Sequence, residues 1–190
     1  MTATIMDGKA IAEKITATVK AEVSKLREKP GLAAVLVGEN PASKVYVDIK
    51  RKTCSEVGIY SELYKLPEET TEKELLQLIE KLNKNPKIHA ILVQLPLPKH
   101  ISEENVFTAV SLEKDVDGFK SENVGLLVAG KEAAVPCTPK GVKAILDEYG
   151  IRLAGKNAVV IGRSKIVGKP TALMLLNRDT TVTVCHSKTK

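Results

Sequence analysis

Six consecutive apolar residues, Leu32-Ala33-Ala34-Val35-Leu36-Val37, sit between Pro30-Gly31 and the turn Gly38-Glu39-Asn40. A run of that length with no polar alternation is a strand buried on both faces, and such strands belong to parallel sheets clad by helices on each side. The flanking sequence agrees. Residues 9–28 place Ile11, Ile15, Val19, Val23 and Leu26 at three- and four-residue spacing, which predicts a helix ending at Pro30. After the turn, Asn40 reads as an N-cap and Pro41 as the first helical residue, with Gly58 closing that helix.

The alternation continues along the chain. Residues 60–65 predict a second strand, and Thr71-Glu72-Lys73-Glu74 is a capping box leading into Leu75, Ile79 and Leu82. Ile88–Val93 is a further strand, stopped by Gln94-Leu95-Pro96-Leu97-Pro98. Thr138-Pro139 opens a helix carrying Val142, Ile145, Leu146 and Tyr149, which Gly150 ends. Ala158–Ile161, a glycine-bearing loop, a helix over about 169–177 and the strand Thr181–Cys185 complete the pattern. The fold class is therefore α/β with two domains: a parallel-sheet domain over residues 1–140, and the first part of a Rossmann-type domain over 141–190. Two parallel strands and one crossover do not close a core. The expectation is thus a fragment, a truncated form or a protein with further residues, whose unfinished sheet edges are aggregation-prone.

Composition narrows the partners. The chain of 190 residues has 29 Lys+Arg against 23 Asp+Glu, a net charge of +6, which favours an anionic ligand. With 3% aromatic residues and no Trp there is little to stack single-stranded bases on, so nucleic acid is not the expected partner. No apolar run approaches the ~20 residues that cross a bilayer, and the N-terminus has no signal-peptide core. Cys54, Cys137 and Cys185 are scattered, as are His89, His100 and His186, so neither a disulfide framework nor a metal site is expected. A reducing cytoplasm fits.

Four segments could carry chemistry. On the helix after the first strand, Ala42, Val45, Tyr46, Ile49 and Thr53 share what reads as a buried face, with Ser43, Tyr46 and Lys50 in a row along its edge. Partial burial favours a neutral amine, which suits Lys50 to proton transfer; the competing reading is a packed Tyr46 and a snorkelling Lys50. Gln94 follows a strand end, and an amide held beside two prolines suits recognition of a heterocycle, although it could equally be a turn residue. Asp115-Val116-Asp117-Gly118 is either a solvated Asp-Gly turn or a carboxylate for the N–H groups of a base-like ring.

The fourth, Gly162-Arg163-Ser164-Lys165-Ile166-Val167-Gly168-Lys169-Pro170, follows a strand and opens a helix. It reads either as a structural turn or as a loop that lets backbone approach a diphosphate. NAD-type sites place an acid at the next strand end; here Cys185-His186-Ser187-Lys188-Thr189-Lys190 contains none. Together with Arg163 that stretch suits a 2′-phosphate and points to NADP.

In order and over nearly its whole length, the chain resembles the bifunctional methylenetetrahydrofolate dehydrogenase/methenyltetrahydrofolate cyclohydrolase family. The resemblance is carried by Tyr46-Val47-Asp48-Ile49-Lys50, Val93-Gln94-Leu95-Pro96-Leu97-Pro98, Lys114-Asp115-Val116-Asp117-Gly118, Pro136-Cys137-Thr138-Pro139-Lys140-Gly141, the 162–170 loop and Cys185-His186-Ser187-Lys188-Thr189. It implies NADP-dependent oxidation of 5,10-methylenetetrahydrofolate and hydrolysis of the methenyl product to 10-formyltetrahydrofolate, by a homodimer. It further implies catalytic roles for Lys50, Tyr46, Gln94 and Asp117, with Leu95 joining them at the folate. Tyr46 would stack near the ring, Gln94 orient Lys50, and Asp117 hold the pterin. Gly162, Arg163, Ser164 and Ser187 would bind NADP. Family members continue beyond the point reached here with a segment that closes over folate and nicotinamide.

Overall fold

The computed structural model describes residues 3–131 and 134–190. Contacts divide the chain into two compact units, Ile15–Val116 and the residues up to Lys14 together with Asp117–Lys190. Helix α1 (Gly8–Lys25) contributes to both.

In the unit Ile15–Val116, strands β1 (Gly31–Val37), β2 (Tyr60–Leu66) and β3 (Ala90–Val93) form a parallel sheet in the order β2-β1-β3. Central β1 pairs Leu32 with Ser61 on one side and with Ala90 on the other. Helix α2 (Pro41–Val57) crosses from β1 to β2, and α3 (Glu72–Lys84) returns past β1 to β3. These two crossovers run in opposite directions across the sheet, so the right-handed rule puts α2 and α3 on opposite faces. The core on one face joins Ala33, Val35 and Val37 of β1 to Leu75, Ile79 and Leu82 of α3, and to Val106 of α4 (Glu103–Ala109). Side chains alternate along a strand, so Ala34 and Leu36 serve the other face, and both are buried.

The local signals sit where the chemistry of caps requires. Asn40 Oδ1 accepts from Ser43 N at 3.1 Å with Pro41 opening α2, and Gly58 closes that helix in the left-handed conformation. Thr71 and Glu74 form the reciprocal capping box of α3. Strand β3 begins at Ala90, two residues later than expected, because Ile88 N bonds back to Asn85 O in a turn.

The second unit holds α5 (Ser121–Val128), α6 (Cys137–Glu148), β4 (Asn157–Ile161), α7 (Gly168–Leu176) and β5 (Thr181–Cys185). Strands β4 and β5 are parallel neighbours, with Ile161 beside Cys185, and α7 crosses between them and packs on both. Helix α6 packs on α7, where Arg178, just past α7, pairs with Asp147 of α6. On β4 the side chains of Val159 and Ile161 remain open to solvent, Ile161 being 88% exposed. A boundary at 140/141 would fall inside α6, whereas contacts divide the chain at 14/15 and 116/117.

Candidate functional site

Because all three strands of the first sheet are parallel, β1 and β3 end at the same edge, the edge where ligands bind in open α/β sheets. Turn Gly38-Glu39-Asn40 leaves β1 there and starts α2; Gln94 leaves β3 there, its N–H bonded to Val35 O at 2.8 Å. Lys50 lies on α2 two turns beyond Ser43. Its Nζ donates to Gln94 Oε1 at 3.0 Å, and Gln94 Nε2 donates to Leu95 O at 2.7 Å. Ser43 Oγ donates to the same carbonyl at 3.3 Å. The orientation of the amide follows from chemistry: a carbonyl cannot donate and a lysine Nζ already bearing protons is the donor, so only one placement of Oε1 and Nε2 satisfies both contacts.

The buried face of α2 differs from expectation. Ser43, Val47, Cys54 and Val57 are buried, with Lys50 half-buried on the same stripe. Val45, Tyr46 and Ile49 are exposed, at 58, 59 and 56%. Ala42 and Thr53 are exposed as well. The helix carries two rival apolar stripes, and the sheet takes the one that includes a serine and a cysteine. Lys50 thus stands at the margin of a buried face other than the expected one. Tyr46, one turn before Lys50, offers its ring to solvent, where a flat ligand can stack.

Lys114, at the head of the 114–118 segment, is an anchor. Its Nζ donates to Leu82 O, Asn83 O and Asn85 O at 2.7–2.9 Å, placing a cation on the C-terminal carbonyls of α3. Asp115 is buried and bridges in parallel to Ile91 of β3. Three polar carbonyls converging on one lysine is a tertiary arrangement that spacing does not reveal.

Asp117 belongs to the other unit and is half-buried. The following Gly118 has φ +66°, and a Cβ there would lie 2.4 Å from Ala134 O, so the Asp-Gly turn is fixed by the close passage of backbone.

In that unit the loops after β4 and β5 lie side by side. Ser164 Oγ accepts from Val167 N at 3.1 Å and Gly168 N at 3.2 Å, while Ser164 O accepts from Lys169 N. Pro170 has no N–H. The first amides of α7 are therefore tied to Ser164, which leaves anion recognition to side chains. Arg163, Ser187 and Lys188 are exposed around these two loops, and the turn beneath them is held by His186 N to Thr189 Oγ1 at 2.8 Å. Gly162 approaches Gly168 so closely that a Cβ on Gly168 would stand 2.3 Å from Gly162 O. With two cationic side chains, hydroxyls and no acid among residues 186–190, the residues fit a dinucleotide bearing a 2′-phosphate. Among the described residues no group of three or more His, Cys, Asp or Glu is placed to hold a metal ion.

Residues 6–117 match the model of the tetrahydrofolate dehydrogenase/cyclohydrolase catalytic domain, and residues 136–190 that of the tetrahydrofolate dehydrogenase/cyclohydrolase NAD(P)-binding domain. The chain belongs to the tetrahydrofolate dehydrogenase/cyclohydrolase family. It is 63% identical to the bifunctional protein FolD of Geotalea daltonii, over 99% of this chain and 68% of that protein. A crystal structure of the bifunctional FolD of Campylobacter jejuni superposes with a TM-score of 0.96 at 50% identity, covering 98% of this chain and 68% of the other. The Trypanosoma brucei enzyme, solved with NADP and an inhibitor, gives a TM-score of 0.95 at 37% identity, covering 98% of this chain and 65% of that one. The expected two-domain α/β class, parallel sheet first and nucleotide-binding domain second, is the one these matches and the sheet topology show.

Proposed function

We propose that the chain performs both reactions of its family: NADP-dependent oxidation of 5,10-methylenetetrahydrofolate to the methenyl form, and hydrolysis of that product to 10-formyltetrahydrofolate. The observation that carries the reading is the Lys50–Gln94 contact at the ligand-binding edge of the sheet, in a chain whose two domains both match the family. In this reading the segment matched by the catalytic-domain model, residues 6–117, handles the folate and the segment 136–190 the nucleotide.

When bound, NADP supplies the acceptor for the hydride leaving the methylene carbon. Arg163, Ser187 and Lys188 hold its phosphate, and Ser164, with both lone pairs engaged by amides, keeps only its hydroxyl proton to offer. Hydride loss leaves a cation spread over N–C–N, which a charged amine nearby would oppose and a neutral one would not. Tyr46 stacks against the folate ring, Leu95 lines it, and Asp117 accepts from pterin N–H groups.

In the hydrolytic step, water adds its oxygen to the methenyl carbon while one of its protons passes to the amine of Lys50. The C–N bond then breaks, the ring nitrogen takes a proton from the Lys50 ammonium, and loss of the remaining hydroxyl proton leaves the formyl group. Gln94 Oε1 holds Lys50 Nζ in place throughout. Three free cysteines suit a reducing cytoplasm, and a homodimer completes the reading; no helix among the described residues is long and apolar enough to cross a membrane. Tetrahydrofolate derivatives are the substrates, and nucleic acid has no part in it.

The test supplies the full chain with 5,10-methylenetetrahydrofolate and NADP, and separately with the methenyl compound. Both NADP reduction and methenyl consumption are expected; absence of both refutes the reading.

A further inference from the structure

Ser43 is 1% exposed, yet it is polar, and it stands on the face of α2 that otherwise buries Val47, Cys54 and Val57. A buried hydroxyl needs a partner. It finds Leu95 O, the same carbonyl that takes Gln94 Nε2. That carbonyl decides which end of the Gln94 amide faces Lys50: with Nε2 engaged, Oε1 must turn outward, and it meets Lys50 Nζ at 3.0 Å. The α2 helix thus touches the Gln94-Leu95 segment twice, through Ser43 near its start and Lys50 two turns on. We infer that Ser43 is a positioning residue for the hydrolytic reaction, acting through the Leu95 carbonyl and the Gln94 amide on the amine of Lys50.

What Ser43 supplies is restraint. Gln94 Nε2 bonds to the residue next in sequence, so that bond alone lets the side chain and the Leu95 peptide plane tilt together. Ser43 Oγ comes from another element and fixes the plane. Without it the amide retains its local bond, its one remaining link to α2 is the Lys50 contact itself, and Lys50 Nζ loses a fixed acceptor. Placement matters more for proton transfer from a single water than for hydride transfer, in which the folate carbon is held by the ring and its other contacts. Removing the hydroxyl should leave the helix intact: Asn40 Oδ1 caps through the backbone N–H of residue 43, which any residue but proline provides, and alanine is a good helix former.

This inference rests on the reading of Lys50 as the proton carrier of hydrolysis, so the experiment measures both reactions in wild type, Ser43→Ala and Lys50→Met, each as the full chain with folding checked by thermal melt. Ser43→Ala is expected to lower kcat for methenyl hydrolysis by about 2–10-fold, the worth of one neutral hydrogen bond, with KM little changed and a smaller loss in the oxidation. Equal losses in both reactions, a change confined to KM, or no change would overturn it. Loss of hydrolysis in Lys50→Met alongside an unaltered Ser43→Ala would sink the inference and spare the reading. Full hydrolysis in Lys50→Met would sink both.

Discussion

Lys50 and Gln94 are 44 positions apart in sequence, and the Nζ of one lies 3.0 Å from the Oε1 of the other. What closes that gap is topology: β1 and β3 are parallel neighbours, so the helix leaving β1 and the residue leaving β3 emerge at one edge. Each half of the pair is ordinary alone. Together they make an amine held against a fixed hydrogen-bond acceptor, one helical turn from the exposed Tyr46.

Cofactor choice should lie with Arg163. Its exposed guanidinium neighbours a strand end without an acid. Arg163→Ala is expected to raise KM for NADP by roughly 10–100-fold, the loss of hydrogen bonds to a charged group, and to alter KM for NAD far less. Steady-state rates with each cofactor measure this; equal effects on both would remove Arg163 from the 2′-phosphate.

Gly168→Ala should be far more damaging than its size suggests. The new methyl would meet Gly162 O at 2.3 Å, and backbone cannot step aside cheaply. A stability loss of at least ~1–3 kcal/mol is expected by analogy with overpacked cores, together with weakened NADP binding. A thermal melt and an NADP titration read the two effects, and a variant that melts like wild type would show that the loop yields.

Glu62 on β2 accepts from the phenols of Tyr60 and Tyr64, and those bonds hold its carboxyl below the usual range while pushing Tyr64 up to about 12. The signs follow from linkage. The Tyr64 contribution is present below the ordinary phenol value of ~10 and is lost as pH rises toward the native value; that of Glu62 is present above the ordinary carboxylate value and fades as pH falls through its depressed one. In an absorbance titration of phenolate formation, Glu62→Ala should move the latest tyrosine back toward ~10. A titration curve indifferent to the substitution would contradict the arrangement.

Much of this was legible because its cause is local. The caps at Asn40 and Thr71 and the strand at Leu32–Val37 depend on a few neighbouring residues, and they form where the sequence places them. Helices α4 and α5, of seven and eight residues, leave no readable signal because so few turns give no periodicity to count. The face of α2 is ambiguous in sequence for a different reason. Val45 and Ile49 look more like a core stripe than Ser43, Val47 and Cys54, and only the sheet beneath decides between them. The buried Ser43 then makes sense as a partner for a carbonyl on a distant loop, and the triple contact of Lys114 likewise exists only once α3 is placed.

The central claim is that the amine of Lys50 moves protons in hydrolysis and has no obligatory part in hydride transfer. Lys50→Met keeps the length and apolar stem of the side chain and removes only the amine. Both rates should be measured on one folded preparation of that variant. Methenyl hydrolysis is expected to fall ~10²–10⁴-fold, the share of one general acid–base group, with a smaller loss in NADP-dependent oxidation. A folded Lys50→Met enzyme with near-normal hydrolysis would contradict the account, and Lys50 would be a lysine that merely rests its stem on the sheet.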